Sequence, residues 1–217
     1  MKKHSQKFEV YGRKKGRKPI TRLNSQIINK YLLNFDKDFI SKKIILDIGS
    51  GNGENTIILS QKYPKNLIIA SDIYKDGNIN LCKILEHRNI NNVKIFNQNV
   101  LILLEKIKSN ELINEIWMLF PDPWPKNKHH KRRLINLSFL KKIAALLKKN
   151  KKIYVVTDSR TYFISILKEF YYSKFFKWVN DLPFMWDYTL NMGNKTKYYE
   201  KALINKRKSF IIIFERI

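Results

Sequence analysis

The chain has 217 residues, 44% of them hydrophobic, and carries 43 Lys and Arg against 18 Asp and Glu, a formal charge of +25. That size and apolar content suit one domain with one sizeable core, and that charge suits a polyanionic partner, although in an Ile- and Asn-rich chain general compositional bias is an alternative source for some of the lysine. A single cysteine, Cys82, excludes an intramolecular disulfide, and with no apolar run of spanning length and no leader-like segment after Met1 the expectation is a reduced, cytoplasmic setting.

Residues 1–20 form a basic arm, with Lys2, Lys3, Lys7, Arg13, Lys14, Lys15, Arg17 and Lys18 against a single Glu9. Such an arm is either an RNA-binding extension or a solvated tail. Residues 21–217 read as one domain. A helix is expected from about Thr21 to Leu33, and from Lys43 strand and helix alternate. KIILDIG, NLIIASDI, VKIFNQN, Ile116 to Phe120 and KKIYVVTD are the strands. Asn52 to Lys62, Lys75 to Arg88, and Leu101 to Ser109 are helices between them. A further helix follows from Leu134, Leu137, Leu140, Ile143, Ala144 and Leu147, with Lys131, Arg132 and Arg133 at its start, Lys148 and Lys149 in its last turn and Asn150 as the C′ residue. Near the end, FFKWVND and SFIIIFERI read as two more strands. This order predicts an α/β fold: a mostly parallel, seven-stranded Rossmann-like sheet with helices on both faces.

Two loops carry the chemistry. After the first strand comes Asp47-Ile48-Gly49-Ser50-Gly51-Asn52-Gly53, where glycines let the backbone approach a ligand in front of a helix. Asp72 ends the next strand, placed to accept hydrogen bonds from a ribose. The third glycine of a dinucleotide fingerprint would fall on Glu54, and the extra carboxylate of Asp47 disfavours a pyrophosphate but suits a cationic nucleoside. Asn99, ending the third strand, stands where an adenine edge would be met.

The second loop follows the fourth strand: FPDPWPKNKHHKRR, residues 120–133. Pro121, Pro123 and Pro125 forbid a helix or ladder, and each biases the residue before it towards an extended conformation. Asp122 and Trp124 are thereby held on a stiff loop. Trp124 is either a stacking platform for a base or an anchor for the loop. Lys126, Lys128, Lys131, Arg132 and Arg133 follow within eight residues, and cations placed against a helix dipole point to a bound anion. His129 and His130 are adjacent and diverge on any regular element, so no metal site is expected.

FPDPWPKNKHHKRR resembles the signature of the bacterial tRNA (guanine-N(7)-)-methyltransferases, and ILDIGSGNGENT resembles their S-adenosylmethionine-binding motif. GRKPIT, Thr157-Asp158 and Thr196-Lys197-Tyr198 continue the likeness over nearly the whole chain. The resemblance implies a class I methyltransferase that moves a methyl group from S-adenosyl-L-methionine to N(7) of the variable-loop guanine of tRNA. It implies cofactor contacts from Asp47, Gly49, Gly51, Asp72, Asn99 and Asp122, with Asp122 also the catalytic acid residue. Lys126, Asp158, Thr196, Lys197, Tyr198 and Tyr199 would meet the substrate, and Lys128, His129, His130, Lys131, Arg132 and Arg133 the RNA backbone. The chain departs from the family pattern at Asn99, where Asp is usual, and at Tyr199, where Glu is usual and Glu200 comes one place later. A monomer and a homodimer both remain open. Two other readings compete: a methyltransferase of exocyclic amines, from the likeness of Asp-Pro-Trp to (Asn/Asp)-Pro-Pro-aromatic, and a non-catalytic RNA-binding module on a decayed methyltransferase fold.

Overall fold

The computed structural model describes residues 22–39, 43–188 and 196–217; the basic arm expected at the start and the GRKPIT segment lie outside the described residues. Seven strands form one sheet: β1 (Ile44–Ile48), β2 (Leu67–Ser71), β3 (Val93–Phe96), β4 (Ile113–Leu119), β5 (Leu147–Thr157), β6 (Phe176–Trp178) and β7 (Phe210–Arg216). The order across the sheet is β3-β2-β1-β4-β5-β7-β6. The first five strands run parallel, and β7 pairs antiparallel with both β5 and β6.

Every residue of β1 and β2 is buried, as a parallel strand covered on both faces requires. Successive side chains therefore feed two different cores. Leu46, Ile69 and Ile116 pack beneath α5 (Val100–Lys106), α6 (Leu137–Leu146) and α7 (Arg160–Ser173). Ile45, Ile68 and Trp117 pack on the other face beneath α1 (Arg22–Tyr31), α3 (Glu54–Lys62) and α4 (Lys75–His87). Among the described residues the remaining α-helices are the single turn α2 (Phe35–Asp38) and α8 (Lys197–Ile204). Helix α7 fills a segment to which the sequence pattern assigns no element, and α8 is likewise unforeseen.

The expected helix before β5 is displaced. Asn136 caps it by accepting the Phe139 amide at 3.0 Å, so α6 begins at Leu137. Residues 127–132 form a separate 3-10 turn. Lys131, Arg132 and Arg133 thus lie outside the first turn of α6, so their charges do not oppose its dipole and imply no bound anion on that ground. At the other end α6 stops at Leu146 and Lys148 and Lys149 belong to β5, not to a helical last turn. Asn150 is left-handed, with φ 59°, but within a bulge where β5 loses register with β4.

Strand order reverses between β1 and β4, which pair directly. Loops leaving their C-terminal ends diverge there and open a crevice.

Candidate active site

The glycine loop follows β1, Asp72 follows β2, Asn99 follows β3, Asp122 follows β4 and Asp158 follows β5, so one rim of the sheet gathers them. Gly49, Gly51 and Gly53 have φ of 73°, 56° and 86°, values that side-chain-bearing residues rarely adopt. Gly51 donates its amide to Asp72 Oδ2 at 2.8 Å, and Tyr74 donates its amide to Oδ1 at 2.8 Å. Two backbone donors thus fix the Asp72 carboxylate and leave it further acceptor capacity for hydroxyls. Gly77, unmarked in the sequence, lies in α4 directly against this loop: a Cβ there would run into the Gly51 carbonyl.

Asp47 is 1% exposed. It accepts Asn55 Nδ2 at 3.0 Å and Thr56 Oγ1 at 2.6 Å. Burial pushes its pKa up to about 6 in spite of those hydrogen bonds, with a further push from the Asp72 charge. Asn55 Oδ1 and Ser50 Oγ line the same cleft, and both are buried without a hydrogen-bond partner. A buried carboxylate beside unpartnered acceptors fits the ammonium of S-adenosylmethionine and is unsuited to a pyrophosphate. The cleft lies between the glycine loop, Leu119–Phe120 and the start of α8. Asn99 does not end a strand. It is the N-cap of α5 and accepts the Leu101 amide at 2.9 Å, a task that Asn and Asp perform about equally.

Across the crevice, the proline loop departs from its expected conformation. Phe120 and Trp124, each before a proline, are left-handed rather than extended, with φ of 52° and 40°. The avoidance of the right-handed helical region by a residue before proline still holds, but the loop's anchors select the rarer alternative. Phe120 donates its amide to the Val156 carbonyl at 2.8 Å. Asp122 is exposed on the loop, within a concavity that raises its pKa, and the Asp72 carboxylate raises it further.

Helix α8 closes the third side. Thr196 is buried and caps it, accepting the Tyr199 amide at 3.2 Å. Lys197 donates its amide to Glu54 Oε2 at 2.7 Å. The Tyr198 ring stacks on Phe120 at 6.2 Å and 20°; burial raises its hydroxyl pKa, and Asp122 and then Asp72 raise it further. Thr196, Lys197 and Tyr198 line the cleft. Tyr199 does not: it is buried edge-on to Tyr188 at 5.1 Å in a cluster with Val156 and Ile211. Asp158 stands on the rim as expected, paired at 3.0 Å with Arg207 Nε, a residue that no sequence motif singles out.

The basic run divides. Lys126, Lys128, His130 and Lys131 are exposed. Arg132 lies over the Trp124 ring at 5.1 Å, and His129 meets that ring edge-on at 5.8 Å, so Trp124 ties the proline loop to the basic turn. Burial, Arg132 and Lys126 hold the His129 pKa below its usual value. Arg133 is a correction to the expected RNA contact: it is 7% exposed and turns inward, donating Nε–H to the Pro123 carbonyl at 2.8 Å. Among the described residues, no group of His, Cys, Asp and Glu could hold a metal ion, and no helix is long and apolar enough to cross a membrane.

Residues 41–212 match the family model described as "Putative methyltransferase". The chain is 32% identical over 154 residues to a tRNA (guanine-N(7)-)-methyltransferase of Neorickettsia sennetsu, covering 70% of each chain. It is 33% identical over 193 residues to a tRNA (guanine-N(7)-)-methyltransferase of Wolbachia pipientis wMel, covering 84% of this chain and 82% of that one. Among solved structures, a methyltransferase of Streptococcus mutans in complex with SAH superposes with a TM-score of 0.52 at 18% identity, over 92% of this chain and 99% of that one.

Proposed function

The chain belongs to the family of the tRNA (guanine-N(7)-)-methyltransferases, and from that premise we infer that it methylates N(7) of a guanine in tRNA, with S-adenosyl-L-methionine as cofactor. The variable-loop guanine is the proposed target, and the cytoplasm, where tRNA is found, the proposed setting. The observation that carries the reading is the cleft at the β1–β4 switch point, lined by Asp47, Gly49, Gly51, Phe120 and Tyr198, with Asp72 hydrogen-bonded to its glycine loop.

S-adenosylmethionine, when bound, supplies an electrophilic methyl group on a sulfonium. Asp72 would hold its ribose, and Asp47 with Asn55 and Ser50 its ammonium end, while Asn99 lies on the same rim for its adenine. Guanine N(7) carries an in-plane lone pair and no proton at neutral pH, so no residue has to act as a general base. The protein's task is alignment of the base at near-attack distance, together with electrostatic support for the purine as it becomes cationic. Asp122 supplies a negative charge on a loop fixed before the reaction. Lys126 and Asp158 would border the guanosine, and Lys128, His130 and Lys131 offer exposed donors to phosphates. Thr196, Lys197 and Tyr198 would wall the cleft.

The test is nucleoside analysis of tRNA incubated with the protein and methyl-labelled cofactor. Label in N(7)-methylguanosine is expected. Label in an exocyclic-amine product would transfer the protein to a different methyltransferase class, and tRNA binding without incorporation would leave an RNA-binding module.

A further inference from the structure

Arg133 sits among exposed cations, yet it is 7% exposed. Its Nε–H donates to the Pro123 carbonyl at 2.8 Å, and its guanidinium lies 5.0 Å from the ring centroid of Tyr162, a fully buried residue of α7. Among the described residues no carboxylate lies within ion-pair distance of it, and its Nη2 is buried without a hydrogen-bond partner. Burying a cation without a carboxylate is costly, and well-packed apolar replacements often fold as well or better. Stability alone therefore does not account for an arginine here.

The loop it grips explains the choice. Pro121, Pro123 and Pro125 offer no amide donors, so carbonyls must supply much of the loop's anchorage. Phe120 and Trp124 flank Pro123 in left-handed conformations that bulky residues avoid, and such backbone persists only where its surroundings over-determine it. The Pro123 carbonyl belongs to the peptide bond that leads into Trp124, and Pro123 directly follows Asp122. Arginine suits the position because one planar group can donate in its plane while lying on an aromatic face; lysine offers no such plane.

We infer that Arg133 is a positioning residue of the methyl transfer: through the Pro123 carbonyl it clamps the proline loop to α7 and thereby holds Asp122 at the cleft. The inference rests on the reading of Asp122 given above. It separates Arg133 from Lys128 and Lys131, whose place is on the surface.

Full-length Arg133→Lys and Arg133→Met are the variants, Lys keeping charge and Met keeping apolar bulk in case one of them folds poorly. Hydrogen–deuterium exchange of the 120–133 segment, without cofactor or tRNA, reads the clamp independently of catalysis. Exchange is expected to quicken at the Trp124 and Lys126 amides in both variants, on the order of tenfold. Turnover should fall by about 10- to 100-fold, as misplacement of a reacting geometry does, while the slope of log tRNA affinity against log salt stays unchanged. A salt slope reduced by about 0.9 with exchange unchanged would instead make Arg133 a phosphate ligand and overturn the inference. Unchanged exchange together with unchanged turnover would overturn it as well. Asp122→Asn, measured separately, decides the reading of Asp122, while the exchange rates alone decide the clamp.

Discussion

Asp72 and Gly51 are joined by a 2.8 Å hydrogen bond from the glycine amide to the carboxylate, so the residue that would hold the ribose also sets the shape of the glycine loop. Removing it should act twice. Asp72→Ala is expected to weaken S-adenosylmethionine by roughly 10- to 100-fold, the equivalent of about 1.5–3 kcal/mol for hydrogen bonds to a charged group. Titration calorimetry measures this, and an unchanged dissociation constant would remove Asp72 from the site.

Asp122→Asn keeps the shape of the proline loop and removes its charge. Losing one preorganised electrostatic partner typically costs about 10²–10³ in turnover, and kcat should fall far more than tRNA affinity. Asp181→Asn, at an exposed position after β6 at the far edge of the sheet, is the control. Turnover within a few-fold of the parent would make the loop a structural turn.

Asp47 links cofactor binding to pH. Its folded pKa of about 6 lies above its ordinary value, so the cofactor-free fold binds a proton more tightly than the unfolded chain. The associated stability is present at low pH and is lost as pH rises towards and through about 6. A bound cation favours the ionised carboxylate, so binding below that pH should release a proton. Affinity should therefore rise between about pH 5 and 7 and then level off. Calorimetry in buffers of different ionisation enthalpy would show the proton, and Asp47→Asn should flatten the profile.

Gly77→Ala places a methyl group against the Gly51 carbonyl. Overpacking of this kind costs about 1–3 kcal/mol, and here the strain falls on the cofactor loop. A lower melting temperature and a weaker cofactor complex are expected together. Normal affinity would show that α4 gives way instead of the loop.

Lys128 and Lys131 are exposed on the basic turn. Substituting both by Ala should reduce the slope of log tRNA affinity against log salt by about 0.9 for each phosphate left without its cation. Cofactor affinity should be unaffected, and an unchanged slope would make the turn a solvated face.

The sheet and the glycine loop were legible because buried parallel strands are near-continuous apolar runs and because left-handed glycines before a helix leave a local mark. The parallel α/β class followed from the alternation of strand and helix. What local sequence did not encode was decided by distant partners. Nothing around Gly77 announces its approach to Gly51, and nothing separates Arg133 from Lys131 until Tyr162 and Pro123 are in place. Helix α8 is short, and its aromatic residues, Tyr198 and Tyr199, face a cleft and a core on opposite sides. The conformations of Phe120 and Trp124 contradict the general preference before proline because tertiary anchors outweigh it.

The position of β7 between β5 and β6 has a consequence for synthesis. Residues 210–216 leave the ribosome after the other six strands of the sheet, yet they occupy its interior. Until they arrive, β5 presents an unpaired edge with Ile153, Val155 and Val156 along it, a template for pairing with other nascent chains. The same strand follows α8 and Arg207, the partner of Asp158. An unfinished chain therefore lacks both its protected edge and one wall of its cleft, and the rim that would receive RNA is completed only as the sheet closes.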